Sequence, residues 1–349
     1  MTKRSLFRIL AAAAAALCGL LLLSVSLADP VKLPANYKNA LKTVRAEQPA
    51  EAVLENVRFS PEQLAAIRDA MPEGGVLHFS TTWKKVRFSD DSETVDLTNI
   101  DGYATKSDLE HIISLCPNLR VLDNSTRMRP SNDVMIPLME QYPDIHFEWM
   151  VHLKGEHYCR TNATAYSTMN HTDGGTRLNS DDLQLLRYIP GLRALDIGHN
   201  SFTDFSFLKY CPDLELLIIS NNSHVEDISA LSQLRHLQYL EVHNTNVSDL
   251  TPLSACRELI DLNISSTKVA DLSPLDGIDT LDRLWANAVK KLPQSEKDRF
   301  VSLHPNCTAD FKGTSAVSHR WREHPRYYHF RRCFKHKMWV PFNEPWPEN

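Results

Sequence analysis

Between Leu186 and Leu292 the chain repeats itself. Aligned on a short apolar core, successive segments read Leu195-Asp196-Ile197, Leu217-Ile218-Ile219, Leu240-Glu241-Val242 and Leu262-Asn263-Ile264, and their leading leucines lie 22, 23 and 22 residues apart. Leu284 begins a fifth, imperfect copy 22 residues further on. A unit of this length cannot bury an apolar face alone; it becomes stable only by stacking on its neighbours, so the core grows along one dimension.

The register holds well beyond the strand. Five residues past each leading leucine stands Asn200, Asn222, Thr245 or Thr267, a side chain suited to bonding backbone groups left unpaired by a sharp bend. Then comes an aspartate (Asp204, Asp227, Asp249, Asp271), an apolar residue and a Ser or Thr, with Pro252 and Pro274 following in two copies. Proline there suits a tight turn, not a long helix. Cys211 and Cys256 share a column with Ile189, Leu234 and Ile278, so they read as core substitutions, and Cys116 in Leu-Cys-Pro-Asn-Leu reads the same way. An LxxLxLxxN core at a period of about 20–29 residues marks a leucine-rich repeat solenoid. The expected fold is a right-handed horseshoe with a parallel concave β-sheet and short helices or 3-10 turns on its convex side.

The ends of the chain follow other rules. Lys3, Arg4 and Arg8 precede an apolar run from Ile9 to Leu23, and Ser26-Leu27-Ala28 follows, so residues 1–28 read as a secretory signal peptide, with an uncleaved anchor as runner-up. Residues 29–59 read as a linker or cap. In 60–180 a longer, looser repeat occurs: Ser60 and Ser131 each open a helical pattern that stops at a proline before a short strand, and Ser295 opens a third copy. A loop is expected at 155–179, regular repeats at 181–293, and a capping repeat with a basic aromatic tail at 294–349. Export favours disulfides; Cys159, Cys307 and Cys333 remain after the core cysteines, which allows one bridge among them.

Asp196-Ile-Gly-His-Asn200, the Asp-apolar-(Ser/Thr) turns, Arg160-Thr-Asn-Ala-Thr164 and Trp321-Arg-Glu-His-Pro-Arg-Tyr327 together resemble a family of exported bacterial leucine-rich repeat proteins. These are abundant in gut Firmicutes and have short, internalin-like repeats. The resemblance covers about residues 60–335 and implies the solenoid fold and export. It implies no catalytic residue.

On a strand, the neighbours of an inward leucine point the other way. That assigns a concave, exposed panel for ligand binding: Asp196, His199, Ile218, Ser220, Tyr239, Glu241, His243, Asp261, Asn263, Ser265, Arg283 and Trp285. Aromatic and charged side chains together are what recognition surfaces favour. Tyr239 and Trp285 are therefore the expected anchors, with Glu241 and Asp261 supplying specificity. The histidines scatter without HExxH spacing and no phosphate-binding glycine loop occurs, so no enzyme activity and no cofactor are expected.

In the tail, His329, Cys333 and His336 stand at helical spacing with Cys307 available, which would suit zinc. Arg331, Arg332, Lys335 and Lys337 crowd the same stretch and would repel a cation. The tail therefore reads as a basic amphipathic cap, with Trp321, Tyr327, Phe330 and Phe334 shielding the open end of the solenoid. No metal is expected. A net charge of −5 over 349 residues argues against a nucleic-acid partner. The expected function is a non-enzymatic binding module for a protein or glycan at the cell envelope; the alternative is a structural or adhesive spacer. Contact of the basic tail with anionic envelope polymer is a further expectation.

Overall fold

The leading leucines become the inward rungs of a parallel sheet. In a computed structural model that describes residues 29–125, 129–170, 175–313, 315–317 and 320–347, Leu195, Leu217, Leu240, Leu262 and Leu284 are all fully buried. The signal-peptide reading of 1–28 lies outside the described residues. The chain divides into two units: residues up to 95 with 107–119, and 96–106 with 120 onward.

The first unit holds β1 (Val31–Lys32), helix α1 (Tyr37–Glu47), β2 (Glu51–Val57), α2 (Pro61–Arg68), β3 (Val76–Trp83) and β4 (Val86–Ser89). Strands β1, β2 and β3 pair in parallel, and β4 returns antiparallel to β3. The segment read as a linker or cap is thus an ordered strand–helix–strand repeat. Its polar surface conceals a buried apolar set, Leu33, Ala40, Val44, Ala52, Leu54, Val57 and Phe59. Helix α2 opens on a full capping box in which Ser60 and Gln63 bond each other's backbone amides. Strand β5 (Thr94–Asp96) and helix α3 (Lys106–Leu115) run through the sequence positions where the units alternate. Cys116, just after α3, is buried, and its Sγ donates to the Ser89 carbonyl at 3.2 Å.

The second unit contains β6 (Val121–Asp123), α4 (Asn132–Gln141), β7 (His146–Glu148), parallel to β6, and the hairpin β8 (Met150–Lys154)–β9 (His157–Arg160). A seven-stranded parallel sheet follows: β10 (Ala165–Ser167), β11 (Ala194–Asp196), β12 (Leu216–Ile218), β13 (Tyr239–Glu241), β14 (Asp261–Asn263), β15 (Arg283–Trp285) and β16 (Thr308–Asp310). The expected loop at 155–179 therefore contains β9 and the sheet's first strand, because Ala165 pairs with Ala194 in the register of every later rung. Crossovers carry one turn or so of 3-10 helix, at Ser206–Tyr210, Ser229–Gln233, Thr251–Ala255 and Ser273–Leu275. This is a leucine-rich repeat solenoid.

The repeated polar columns explain the tight crossovers. Asp204, Asp227, Asp249 and Asp271 each accept from the backbone amide two residues on, at 2.7–2.8 Å, and so start each 3-10 turn. Asn200 Nδ2 donates to the Ile197 and Gly198 carbonyls, Asn222 Nδ2 to Ile219, Thr245 Oγ1 to Val242 and Thr267 Oγ1 to Ile264. The residue just before each of these has positive φ (His199, Asn221, Asn244 and Ser266), as does Ala288 in the fifth copy, all at 56–60°. A left-handed residue per repeat turns the chain out of the strand. Helix α5 (Ser180–Leu183) precedes the first regular repeat, and α6 (Gln294–Leu303) the last strand. All six described cysteines are free thiols, so no bridge joins Cys159, Cys307 and Cys333.

Candidate functional site

The outward-facing strand residues point to the concave side as the alternation rule requires, but they do not meet solvent. Tyr239 and Asp261 are 0% exposed, and Asp196, Ile218, Ser220, Glu241, His243, Asn263, Ser265, Arg283 and Trp285 are buried as well. The expected open panel is corrected to a covered one. What covers it is the chain's own C-terminal segment, residues 315–317 and 320–347, built around helix α7 (Pro325–His336). Only His199 of the panel is exposed; it sits at the left-handed turn, where its Nε2 lies 3.0 Å from Asn221 Nδ2.

Helix α7 begins at Pro325, whose missing amide costs nothing at a first helical position, with His324 Nδ1 accepting from the Arg326 amide at 3.3 Å. Its apolar stripe, Phe330, Cys333 and Phe334, is buried against Ala165, Ala194, Leu216 and Ile218 together with Trp321, Trp339 and Val340. Tyr239 is the centre of this packing: its ring lies 5.6 Å from Trp321, 4.9 Å from Phe330 and 6.2 Å from Phe342. Trp285 packs 5.2 Å from Trp321. The two expected anchors are thus occupied intramolecularly. The expected cap on the open end is likewise corrected: β16 supplies the last rung, and the tail crosses the concave face instead, because that face holds the apolar and charged partners the tail requires.

Polar complementarity fixes the register of tail on sheet. Asp261 accepts two bonds from Arg283, at 2.8 and 2.9 Å, and two from Arg326, both at 2.7 Å. Burial raises its carboxyl pKa, but the bonds from Arg283 and Arg326 outweigh that and hold it below the usual range. The Arg283 guanidinium also stacks 4.3 Å from the Trp321 ring. Glu241 accepts from Trp321 Nε1 at 2.9 Å and from the Tyr239 hydroxyl, and faces His243 Nε2 at 3.2 Å. Here too burial pushes the carboxyl up, and the His243, Tyr239 and Trp321 bonds bring it down. Asn263 Nδ2 donates to the Ala316 carbonyl at 2.8 Å. At the other end of the sheet Trp339 Nε1 donates to Glu215 at 2.9 Å, and its amide to Thr164 Oγ1 at 2.7 Å.

Asp196 differs from these two carboxylates. It accepts from Ser167 Oγ at 2.8 Å and from the Gly198 amide at 3.1 Å, but among the described residues no cation bonds it. Burial therefore dominates and pushes it up to about 6. His329 Nε2 and Cys333 Sγ both turn to the Val340 carbonyl, which orders the chain beyond the helix. Among the described residues no group of three or more His, Cys, Asp or Glu side chains is placed to hold a metal ion. The outer side of α7 presents Arg331, Arg332, Lys335 and Lys337 to solvent, with Arg322 just before it.

No family model and no curated protein matches the chain. Solved structures do. An internalin (inlF) from Listeria monocytogenes is 16% identical with TM-score 0.33, over 76% of this chain and 62% of that chain. An internalin C2 from the same species is 16% identical with TM-score 0.30, over 83% and 95%. A leucine-rich repeat protein from Leptospira interrogans is 13% identical with TM-score 0.36, over 80% and 75%. The chain spans less than two-thirds of the first of these.

Proposed function

We propose that this chain is an exported, non-enzymatic binding module of the cell envelope, and that it meets its partner through the basic outer face of α7. The partner is an anionic protein or glycan. One observation carries the reading. The side chains of the concave sheet are covered by α7, so what the concave side offers to a partner is Arg331, Arg332, Lys335 and Lys337. Clustered cations on a rigid helix attract polyanions at long range and lose that attraction as salt rises. Export rests on the leader-like sequence at 1–28, and no helix among the described residues is long and apolar enough to cross a membrane.

The test is sedimentation of the mature chain, residues 29–349, with isolated bacterial envelopes at rising salt. Wild type is expected to bind and to be released by salt, and Arg332→Glu/Lys335→Glu to lose binding with unchanged thermal unfolding. Equal binding by both proteins would refute the basic face as the recognition surface. The second reading, a spacer with no specific ligand, is favoured by the covering itself: a concave face largely occupied by the chain's own tail is what a purely structural module would show. It expects no binding by either protein.

A further inference from the structure

The tail does not fill the concave face completely. Between β12, β13 and α7 remains a cavity of about 180 Å³, with Asp196, Ser220, Glu241 and His243 on its sheet side and Arg322 and Arg331 on its helix side. That is room for about six waters at ~30 Å³ each, and smaller than the roughly 300–1,000 Å³ of pockets for drug-sized ligands. Two side chains in it are unmatched. Ser220 is 2% exposed and its Oγ has no hydrogen-bond partner among the described residues. His243 is 4% exposed; its Nε2 faces Glu241, and its Nδ1 has no hydrogen-bond partner among the described residues. They are lateral neighbours, each two residues beyond the paired Ile218 and Glu241. For other polar groups of the covered face the tail supplies the missing partner, as Trp321 does for Glu241 and Ala316 for Asn263.

We propose that this cavity binds a small carboxylate-bearing ligand, which accepts hydrogen bonds from Ser220 Oγ and His243 Nδ1 and is neutralised by Arg322 and Arg331. A monoanion fits the charges present. Asp196 and Glu241 already line the floor, and the His243 ring turns one nitrogen to Glu241 and the other to the ligand. A phosphate dianion would set an uncompensated charge against those two carboxylates. Guanidinium forks at the mouth match the planar, two-oxygen geometry of a carboxylate. Such a group reaches a site of this size as an acidic sugar or as the free end of a peptide.

Isothermal titration of the mature chain with sodium glucuronate, alanyl-alanine, glucose and inorganic phosphate distinguishes these. One carboxylate is expected to bind and glucose not to; which of glucuronate and the dipeptide binds names the source. Ser220→Ala and His243→Phe are each expected to weaken it about 10-fold or more, as loss of a hydrogen bond to a charged group does. Arg331→Gln, a change at the exposed rim that leaves the fold intact, is expected to weaken it too. Absence of binding by both carboxylates at millimolar concentration, tighter binding of phosphate, or equal affinity in all three variants would overturn the proposal. Arg332→Glu/Lys335→Glu is expected to keep the carboxylate site while losing envelope binding, so the two readings fail separately.

Discussion

Replacing Asp261 by Asn tests whether the tail is an integral part of the fold. Asp261 is fully buried and anchors one guanidinium from the sheet and one from the tail through four bonds of 2.7–2.9 Å. Asn keeps the shape and removes the charge, leaving Arg283, 4% exposed, without a carboxylate partner among the described residues. Stranding a buried charge in this way costs about 3–5 kcal/mol. Arg326→Gln is milder, about 1–3 kcal/mol, because Asp261 keeps Arg283 and only the more exposed Asp282 loses its partner. Thermal and urea unfolding read both. At about 2–4 °C per kcal/mol, Asp261→Asn is expected to lower the Tm by roughly 6–20 °C. Adding Arg283→Met, which removes the stranded charge, is expected to recover part of the loss. The pH dependence has a definite sign. The Asp261 carboxyl is held below its unfolded value of about 3.9, so its contribution is complete above that pH and lost as pH falls through the folded value. The difference between wild type and variant therefore narrows in acid. A loss under about 1 kcal/mol for Asp261→Asn, or a larger loss for Arg326→Gln, would mean that Asp261 does not anchor the tail to the sheet.

Asp196 titrates in the opposite sense. Its folded pKa of about 6 lies above the unfolded value, so the folded state holds the extra proton between them and stability falls as pH rises through that window. Asp196→Asn is expected to be near neutral at pH 4 and stabilising by about 3 kcal/mol well above pH 6 in unfolding measured across pH; a pH-independent effect would contradict this. Trp321→Phe keeps a ring but removes the Nε1 donor to Glu241, and is expected to cost about 1–3 kcal/mol by urea unfolding. Ser266→Gly relieves a left-handed φ of 56° and is expected to raise stability by up to about 1 kcal/mol; a loss would mean the serine side chain matters more than its backbone.

The sheet was legible because it is written five times. Each strand leucine, ladder Asn or Thr and turn aspartate recurs at a fixed spacing, and each column has one physical task. The alternation rule also got the direction of Tyr239, Asp261 and Trp285 right. What it could not tell was what lies on that side. The Asp261–Arg326 and Glu241–Trp321 contacts join residues 65 and 80 positions apart, occur once, and leave no periodic trace. A partial signal existed in the tail, where Phe330, Cys333 and Phe334 form one apolar helix stripe, with Trp321 just before it, beside unpaired-looking arginines. That stripe needed an apolar surface with buried acids, and the strand residues supplied both. Residues 29–59 were obscured for a different reason: in α1 only Ala40 and Val44 are buried, too few to rise above a charged background.

Hydroxyl-radical footprinting of residues 29–349, read residue by residue by mass spectrometry, tests the covered concave face most directly. Tyr328, 62% exposed on the outside of α7, serves as the internal standard for a freely reacting ring. The account expects Tyr239, Trp285 and Trp321 to be protected relative to Tyr328 in the folded chain and to react like it once urea unfolds the protein. Oxidation of Tyr239 and Trp285 in the folded chain at the rate of Tyr328 would mean that the sheet is open and the tail lies elsewhere.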